Sequence, residues 1–472
     1  MIFISFLYAL MIVCLCFPVY KVYQLNNYSI KKTLINVIKF RFANGDKNKL
    51  VLTNRMKRFI CFNFIFNLLI SLLCYIFIKK IYLYFIVNII FVLFNLFIFS
   101  CVHFIMCPVE YIIKCRFIKR AQKKLLKLKC KKIGITGSFG KTSTKNILCQ
   151  ILEEEYKVCK TPKSYNTPMG ICKTILEDLN EEHEFFIVEM GARREGDIAF
   201  LTNLVEVEYG IITSIGEQHI ETFRTIENIE KTKFELCEFI DEDGVVIFNG
   251  KSSSSYKLYK KCKRKKYLLC RENSYAFASN ISTNEHGSKF TLNIDKKKID
   301  VETKLLGKLN IDNIVMSSTM AYLLGENLFN IKKAISKLKP IEHRLELIKG
   351  ENVCVIDDSY NSNLSGAKEA LQVLSNFKKR KIVITPGIVE MGSKQEKVNF
   401  DLGKEISKVA DICIIMNKIN KNSLKNGLKS GNFDEKMLFF ANTREEQKNL
   451  LNKILLKNDV VLFENDLPDN YK

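Results

Sequence analysis

The sequence predicts an α/β protein preceded by transmembrane helices. Three observations point there. Apolar residues crowd the first hundred or so positions, and the remainder reads as soluble α/β protein. The basic charge is concentrated in that same N-terminal part. Near residue 131 an apolar strand runs through a glycine-rich turn into a helix, the local unit of a parallel sheet. With 472 residues the chain is long enough for two or three domains with real cores.

Three apolar runs reach the length of about 20 residues that a bilayer requires. They are Met1 to Tyr20, Phe59 to Ile78, and Ile81 to Met106. The first lacks a basic leader and a small-residue cleavage site, so it reads as a retained span rather than a removed signal peptide. A single buried or interfacial helix is the plainer reading of that run. Lys79 and Lys80 separate the second and third runs and predict a tight hairpin.

Residues 1–132 hold 22 Lys and Arg against two acids, Asp46 and Glu110, while the remaining residues hold 51 against 48. Ten of the basic residues lie from Lys21 to Arg58 and ten from Lys114 to Lys132. Positive loops stay cytosolic. That predicts an external N-terminus, everything after about Cys107 inside, and a multi-pass protein of the cell membrane. The expected partner is the lipid bilayer, with Lys114 to Lys132 as a basic helix on anionic lipid. Because the soluble part is nearly neutral, it carries no basic footprint, which argues against a nucleic-acid partner. The 16 cysteines include no C-x-x-C pair and read as reduced thiols.

The run Lys131-Lys-Ile-Gly-Ile-Thr136 is a short strand. Gly137-Ser-Phe-Gly-Lys-Thr142 follows, and Ser143 to Tyr156 has helical spacing, with Ile147, Leu148, Ile151 and Leu152 on one face. Strand, glycine-rich turn and helix is the setting of a phosphate-binding loop. Thr136, Gly137, Ser138, Phe139, Gly140, Lys141, Thr142 and Ser143 are its candidate contacts. Backbone N–H groups and the helix N-terminus hold phosphates. Lys141 reaches the β- and γ-phosphates, and the Thr142 hydroxyl ligates Mg²⁺. The commonest form of the loop has glycine at the position of Ile135; here glycines fall at Gly134, Gly137 and Gly140. ATP or a close relative is the expected ligand.

Downstream, the strand Phe185 to Val188 ends in Glu189, well placed as a metal ligand although such an acid is more often simply solvated. A second strand, Gly210 to Ile215, leads to His219, one of five histidines and by itself an ordinary residue. Lys233 follows fourteen residues later on a helical segment, and no physical rule singles it out among so many lysines.

Taken together these motifs resemble the Mur ligase family, most closely its branch that adds D-alanyl-D-alanine. The three-glycine loop Gly134 to Thr142 has that family's spacing. Thr161-Pro-Lys-Ser-Tyr-Asn-Thr-Pro-Met-Gly170 resembles its substrate loop, which implies substrate roles for Asn166 and Thr167. Glu189-Met-Gly-Ala192 resembles its magnesium motif, and His219-Ile-Glu-Thr-Phe223 its second metal motif. The spacing to Lys233 matches a lysine carbamylated by CO₂, an anion able to help hold a metal. Gly307-Lys-Leu-Asn-Ile-Asp-Asn313 resembles the adenine-facing motif, with Leu309 in place of His and with Asn310 and Asn313 kept. Arg344 matches an arginine that reaches the γ-phosphate, with His343 in place of Gly. Asp357-Asp-Ser-Tyr-Asn-Ser-Asn363 resembles the branch's C-terminal motif, implying nucleotide contact by Asp358 and substrate contact by Tyr360, Asn361 and Asn363. Leu364 stands where Pro is usual. Thr385 to Gly392 resembles a later motif and adds Glu390 to the substrate set.

The resemblance covers residues 133–472 and implies a phosphate-loop central ATP-binding domain, 133–340, with a mostly parallel sheet. A Rossmann-like C-terminal α/β domain, 341–472, would follow, after a membrane region, 1–108, and a basic linker helix, 109–132. Lys141, His219 and Lys233 would be catalytic; Thr142, Glu189, His219 and Lys233 would hold two Mg²⁺. The implied reaction joins a carboxylate to an amine through an acyl phosphate, in cell-wall precursor synthesis. Where the family has a domain gripping uridine diphosphate, this chain has membrane segments, and its end, Leu462 to Tyr471, is acidic. The acceptor peptide is therefore expected to be nucleotide-sugar-linked or lipid-linked. Two alternatives stay open: a related ligase extending another polymer, such as a poly-amino-acid or folate-type glutamate chain, and an ATP-binding membrane scaffold without ligation.

Overall fold

The computed structural model describes residues 2–38, 50–78, 80–217, 220–360 and 363–467. It divides into two compact units, one reaching Phe117 and the other running from Ile118 to Leu467.

The first unit is helical, with helices Ile2–Leu15, Phe17–Leu25, Ile30–Ile38, Asn54–Phe77 and Ile81–Leu93, and the start of Asn95–Leu125. Among the described residues two helices, Asn54–Phe77 and Asn95–Leu125, are long and apolar enough to cross a membrane. A third candidate is Ile2–Leu15 with Phe17–Leu25, bent by 44°. The bend follows from Pro18, which sits at the start of the second helix of that pair and cannot donate to the turn before it.

The run expected as one span from Ile81 to Met106 is corrected. The helix stops at Leu93 and a new one begins at Asn95, where a polar residue interrupts the apolar run. That new helix continues through Pro108 to Leu125, so the basic segment begun at Lys114 extends an apolar helix instead of forming its own. Of the expected hairpin tip, Lys79 lies outside the described residues.

The unit's polarity is inverted relative to a water-soluble bundle. Ile2, Phe3, Phe77 and Leu93 are exposed, whereas Asn63, Asn67 and Ser71, on one face of Asn54–Phe77, are buried. Inside, Asn63 donates to the Tyr20 hydroxyl, and the Ser71 and Tyr84 hydroxyls meet at 2.8 Å. Arg58 holds Glu110 through two bonds of 2.7 Å.

The second unit carries two sheets. The larger comprises β1 (Lys131–Thr136), β2 (Val158–Lys160), β3 (Phe185–Glu189), β4 (Tyr209–Ile212), β5 (Val245–Asn249), β6 (Lys265–Leu269), β7 (Ala276–Asn284), β8 (Gly287–Ile294) and β9 (Lys297–Thr303). Their order is β2-β3-β1-β4-β5-β6-β7-β8-β9. Pairing is parallel from β2 to β7 and antiparallel across β7, β8 and β9. Ile133, Ile135, Ile187, Ile211 and Ile247 are buried against Leu148, Ile151 and Leu152 of helix Lys141–Leu152 and against Ile314 and Val315 of helix Lys308–Leu323. Fully covered strands of this kind read as unbroken apolar runs, which is why they were visible in the sequence.

The smaller sheet comprises β10 (Glu346–Lys349), β11 (Cys354–Asp358), β12 (Lys381–Thr385), β13 (Ile412–Met416), β14 (Leu438–Ala441) and β15 (Val460–Glu464), in the order β10-β11-β15-β12-β13-β14. It is parallel apart from β10 against β11. The last strand, β15, is inserted between β11 and β12, so Glu464 of the acidic segment is fully buried. In the larger sheet β1 has β3 on one side and β4 on the other. Their carboxyl ends therefore converge where the order switches, the place such sheets present to ligands.

Candidate functional site

The glycine-rich turn leaves the carboxyl end of β1 and enters helix Lys141–Leu152. Gly137 has φ 148° and Gly140 φ 83°. A Cβ on Gly137 would lie 2.0 Å from the Thr213 hydroxyl oxygen, and one on Gly140 would lie 2.7 Å from Asn313 Oδ1. Both positions thus need glycine for conformation and for space. The turn is fixed from behind: Ser138 and Phe139 donate backbone N–H groups to the Ser214 carbonyl, and Thr213 donates its hydroxyl to the Phe139 carbonyl. Lys141 Nζ donates to the Gly137 and Ser138 carbonyls at 2.8 Å. Burial lowers the Lys141 ammonium to about 8; Glu189 opposes the shift, and Arg344 adds a smaller push in the same direction as burial.

Glu189 is the last residue of β3, beside β1, and is buried. Thr142 donates its hydroxyl to Glu189 Oε2 at 2.9 Å, Lys145 donates to the same oxygen at 3.1 Å, and Asn166 donates to Oε1 at 3.1 Å. Burial pulls the carboxyl up, yet Lys145 and Lys141 outweigh it and hold it below the ordinary range. A permanently ionised carboxylate beside a hydroxyl at a phosphate loop suits a hard divalent cation. Mg²⁺ needs only one or two protein oxygens when phosphates and water complete its shell. Among the described residues no group of three or more His, Cys, Asp or Glu forms a metal cluster.

Lys233 is buried on helix Ile226–Phe239, whose first turn is capped by Thr225. Burial, then repulsion from Lys141, lowers its ammonium to about 7, against the opposing pull of Glu235 and Asp197. The structure thus supplies what the sequence could not: this lysine, unlike its many surface counterparts, is buried and loses its proton far more readily than a solvated lysine.

Asn310 and Asn313 are buried on helix Lys308–Leu323. Asn313 Oδ1 accepts from Thr144 at 3.3 Å, which ties the helix to the phosphate loop's own helix. From the smaller sheet's side come Arg344, Asp358, Tyr360 and Asn363. The Arg344 guanidinium lies 4.0 Å over the Tyr360 ring. Asp358, at the end of β11, accepts the Leu345 N–H at 3.1 Å. Its carboxyl is pushed up to about 6 by burial, with Arg344 opposing. Asn363 caps helix Leu364–Ser375 through its side chain.

One cleft of about 670 Å³ gathers most of these groups. Its lining includes Ser138, Phe139, Gly140, Lys141, Thr142 and Ser143 of the loop; Asn166, Thr167, Glu189 and Lys233; and Asn310, Asn313, Arg344, Asp358, Tyr360 and Asn363. Thr136 and Gly137 lie behind it as the support of the turn. Glu390, at φ 64°, is not brought to the lining. His219 and Asn361 lie outside the described residues. The sequence reading missed Lys145, and also Asp312, which is buried, lines the cleft and pairs with Lys251 at 2.6 Å. A signal for Lys145 existed: it shares the spacing of Leu148 and Leu152, a charge on an apolar stripe.

A phosphate loop facing a buried carboxylate, with a second α/β layer contributing an arginine to the same cleft, defines a nucleotide-using enzyme. Residues 135–321 match the Mur ligase middle domain and residues 343–464 the Mur ligase, glutamate ligase domain. A UDP-N-acetylmuramoyl-tripeptide–D-alanyl-D-alanine ligase of Buchnera aphidicola is 30% identical over 336 residues, 70% of this chain and 71% of that protein. The enzyme of the same name from Bacillus subtilis is 31% identical over 278 residues, 58% of this chain and 60% of its own length. The MurF ligase of Thermotoga maritima, solved with ADP, superposes with a TM-score of 0.68 at 24% identity, covering 75% of this chain and 80% of that one. The chain belongs to the Mur ligase family, whose members are ATP-dependent ligases.

Proposed function

We propose that this chain is a membrane-attached, ATP-dependent amide ligase of cell-wall precursor synthesis. It would join D-alanyl-D-alanine, or a related amino acid or dipeptide, to the carboxylate of a muramyl peptide. The observation that supports this best is the meeting of Lys141, Thr142, Glu189 and Lys233 in one cleft with Arg344 and Asp358. The relatives' printed names supply the substrate class.

In this reading the acceptor carboxylate attacks the γ-phosphorus of ATP, and ADP leaves, giving an acyl phosphate. The incoming amine attacks the acyl carbon, loses a proton, and phosphate departs. Lys141 faces the phosphoryl oxygens and opposes the charge that builds on them. Thr142 and Glu189 would hold Mg²⁺, and His219 with Lys233 a second ion. Bound Mg²⁺ supplies charge neutralisation and in-line orientation of the phosphoryl group. Lys233, with its amine lone pair free near neutral pH, suits attack on CO₂ to form a carbamate, converting a buried amine into an anionic oxygen ligand. Arg344 and Asp358, carried by the C-terminal Rossmann-like layer, would close on the nucleotide and keep water from the acyl phosphate.

Attachment to a bilayer is supported by the two candidate spans, the bent pair and the inverted polarity of the first unit. The same spans favour a lipid-linked acceptor as the second reading. Purified protein with ATP and candidate acceptors, read by mass spectrometry and ADP release, tests both. A dipeptide-dependent product with a nucleotide-linked muramyl tripeptide supports the first. Ligation only to a lipid-linked peptide selects the second, and absence of amine-dependent ADP release with every precursor rejects ligation.

A further inference from the structure

Lys145 lies one turn beyond Lys141 on helix Lys141–Leu152 and is completely buried. Its ammonium sits 3.1 Å from Glu189 Oε2 and also donates to the backbone carbonyl of Lys163. A buried cation is tolerated only when its charge is paired and its protons are used. Here one partner is the carboxylate at the phosphate loop, and the other belongs to the segment 161–167.

That segment is bound to Glu189 a second and third time. The Asn166 amide donates to Glu189 Oε1 at 3.1 Å, and the Glu189 N–H donates to the Thr161 hydroxyl at 3.1 Å. Lys163 has φ 45°, a left-handed conformation that a residue with a Cβ rarely adopts and that persists only where its surroundings impose it. The neighbouring Ser164 hydroxyl bonds to the Tyr360 hydroxyl. Arg344 covers the Tyr360 ring at 4.0 Å. An unbroken line of contacts therefore runs from Glu189 through Lys145, the Lys163 carbonyl, Ser164 and Tyr360 to Arg344.

We propose that Lys145 is a positioning residue that makes segment 161–167 and the Arg344 side of the cleft respond to what is bound at Glu189. The inference rests on the reading of this cleft as a Mg²⁺–nucleotide site. Lys145 is not in the cleft lining; it acts through Glu189 and through the Lys163 carbonyl. Its loss leaves the phosphate loop intact and uncouples the segment from it.

Hydrogen exchange of segment 161–167 in the full-length protein, with and without Mg²⁺ and ADP, tests this, while ADP binding is followed in parallel with a fluorescent analogue. In the wild type, Mg²⁺ and ADP are expected to slow exchange in the segment by about threefold or more. Lys145→Met is expected to bind ADP within about threefold of wild type, lose that slowing, and raise the acceptor KM about tenfold while the ATP KM stays near its wild-type value. Lys145→Arg, which keeps the charge and the donors, is expected to restore part of the slowing. Unchanged slowing and unchanged acceptor KM in Lys145→Met overturn the inference. A wild type that binds no ADP with Mg²⁺ refutes the underlying reading instead, and is distinguishable by the analogue alone. If the Lys145 variants do not fold, Ser164→Ala carries the same criteria one contact further along the line.

Discussion

Lys141 and Lys233 owe their lowered basicity to burial, and Glu189 keeps its charge despite burial because Lys145 and Lys141 stand beside it. Lys141 has few competing partners, so its ammonium is available to a phosphate that replaces the Gly137 and Ser138 carbonyls. Lys141→Ala is expected to lower kcat by about 10²-fold or more, since a preorganised charge at the phosphoryl group is removed. Steady-state ADP release checks this, and Lys141→Ala activity within a few-fold of wild type contradicts it. Asp358 gives a pH signature. Burial raises its carboxyl to about 6, so in the folded protein it takes up a proton as pH falls through 6, well above the ordinary aspartate range. Loss of that negative charge removes the partner of Arg344. The ATP kcat/KM is therefore expected to fall below about pH 6, and Asp358→Asn is expected to show a low rate with no such limb; a limb that persists in Asp358→Asn assigns it elsewhere.

At the scale of single elements, position matters more than composition. Helix Ile226–Phe239 carries Lys233, and its first turn depends on Thr225, whose hydroxyl accepts the Asn228 N–H at 3.2 Å. Thr225→Ala is expected to cost about 1 kcal/mol of stability in chemical denaturation, with only a modest loss of rate, because Lys233 lies two turns away. A loss of activity larger than the loss of stability would show that the cap also aims the helix. The elements were legible where both faces of a strand are covered: Phe185 to Val188 of β3, Ile133 to Ile135 of β1 and Gly210 to Ile212 of β4 are buried apolar stretches. The turn at Gly137 and Gly140 was legible because its glycines are sterically required. Of Lys145 only the burial could be read, from a charge on an apolar stripe; its pairing with Glu189 could not, since that needs two segments brought together by the sheet order. The break at Phe94 was hidden as well, because Asn95 is one of four scattered polar residues in the run, with Asn88, Ser100 and His103, and nothing in the sequence sets it apart from the others.

For the molecule as a whole, the two units predict two behaviours. The full chain is expected to remain with membranes after alkaline carbonate washing, and release by that wash would contradict the proposed spans. A chain beginning at Ile118 is expected to be soluble and to bind ADP with Mg²⁺, since the phosphate loop and the cleft lining lie within Ile118–Leu467. Fluorescent-ADP titration of that fragment checks it.

The antiparallel extension of the larger sheet has a further consequence. It ends the sheet on β9, whose outer backbone edge offers donors and acceptors to any passing strand. Lys298, Asp300 and Glu302 stand exposed at alternate positions of β9, and Glu302 pairs with Lys289 at 3.0 Å. A second copy approaching that edge would have to desolvate these charges, which guards against strand-to-strand sticking. At the other end of the sheet β2 has three residues, too short to template anything. Replacing Lys298, Asp300 and Glu302 together with valine is expected to leave ADP binding unchanged and to turn a monodisperse fragment into one that self-associates on size-exclusion chromatography. If the proposed spans do gather copies on a bilayer, a charged edge of this kind would keep them apart.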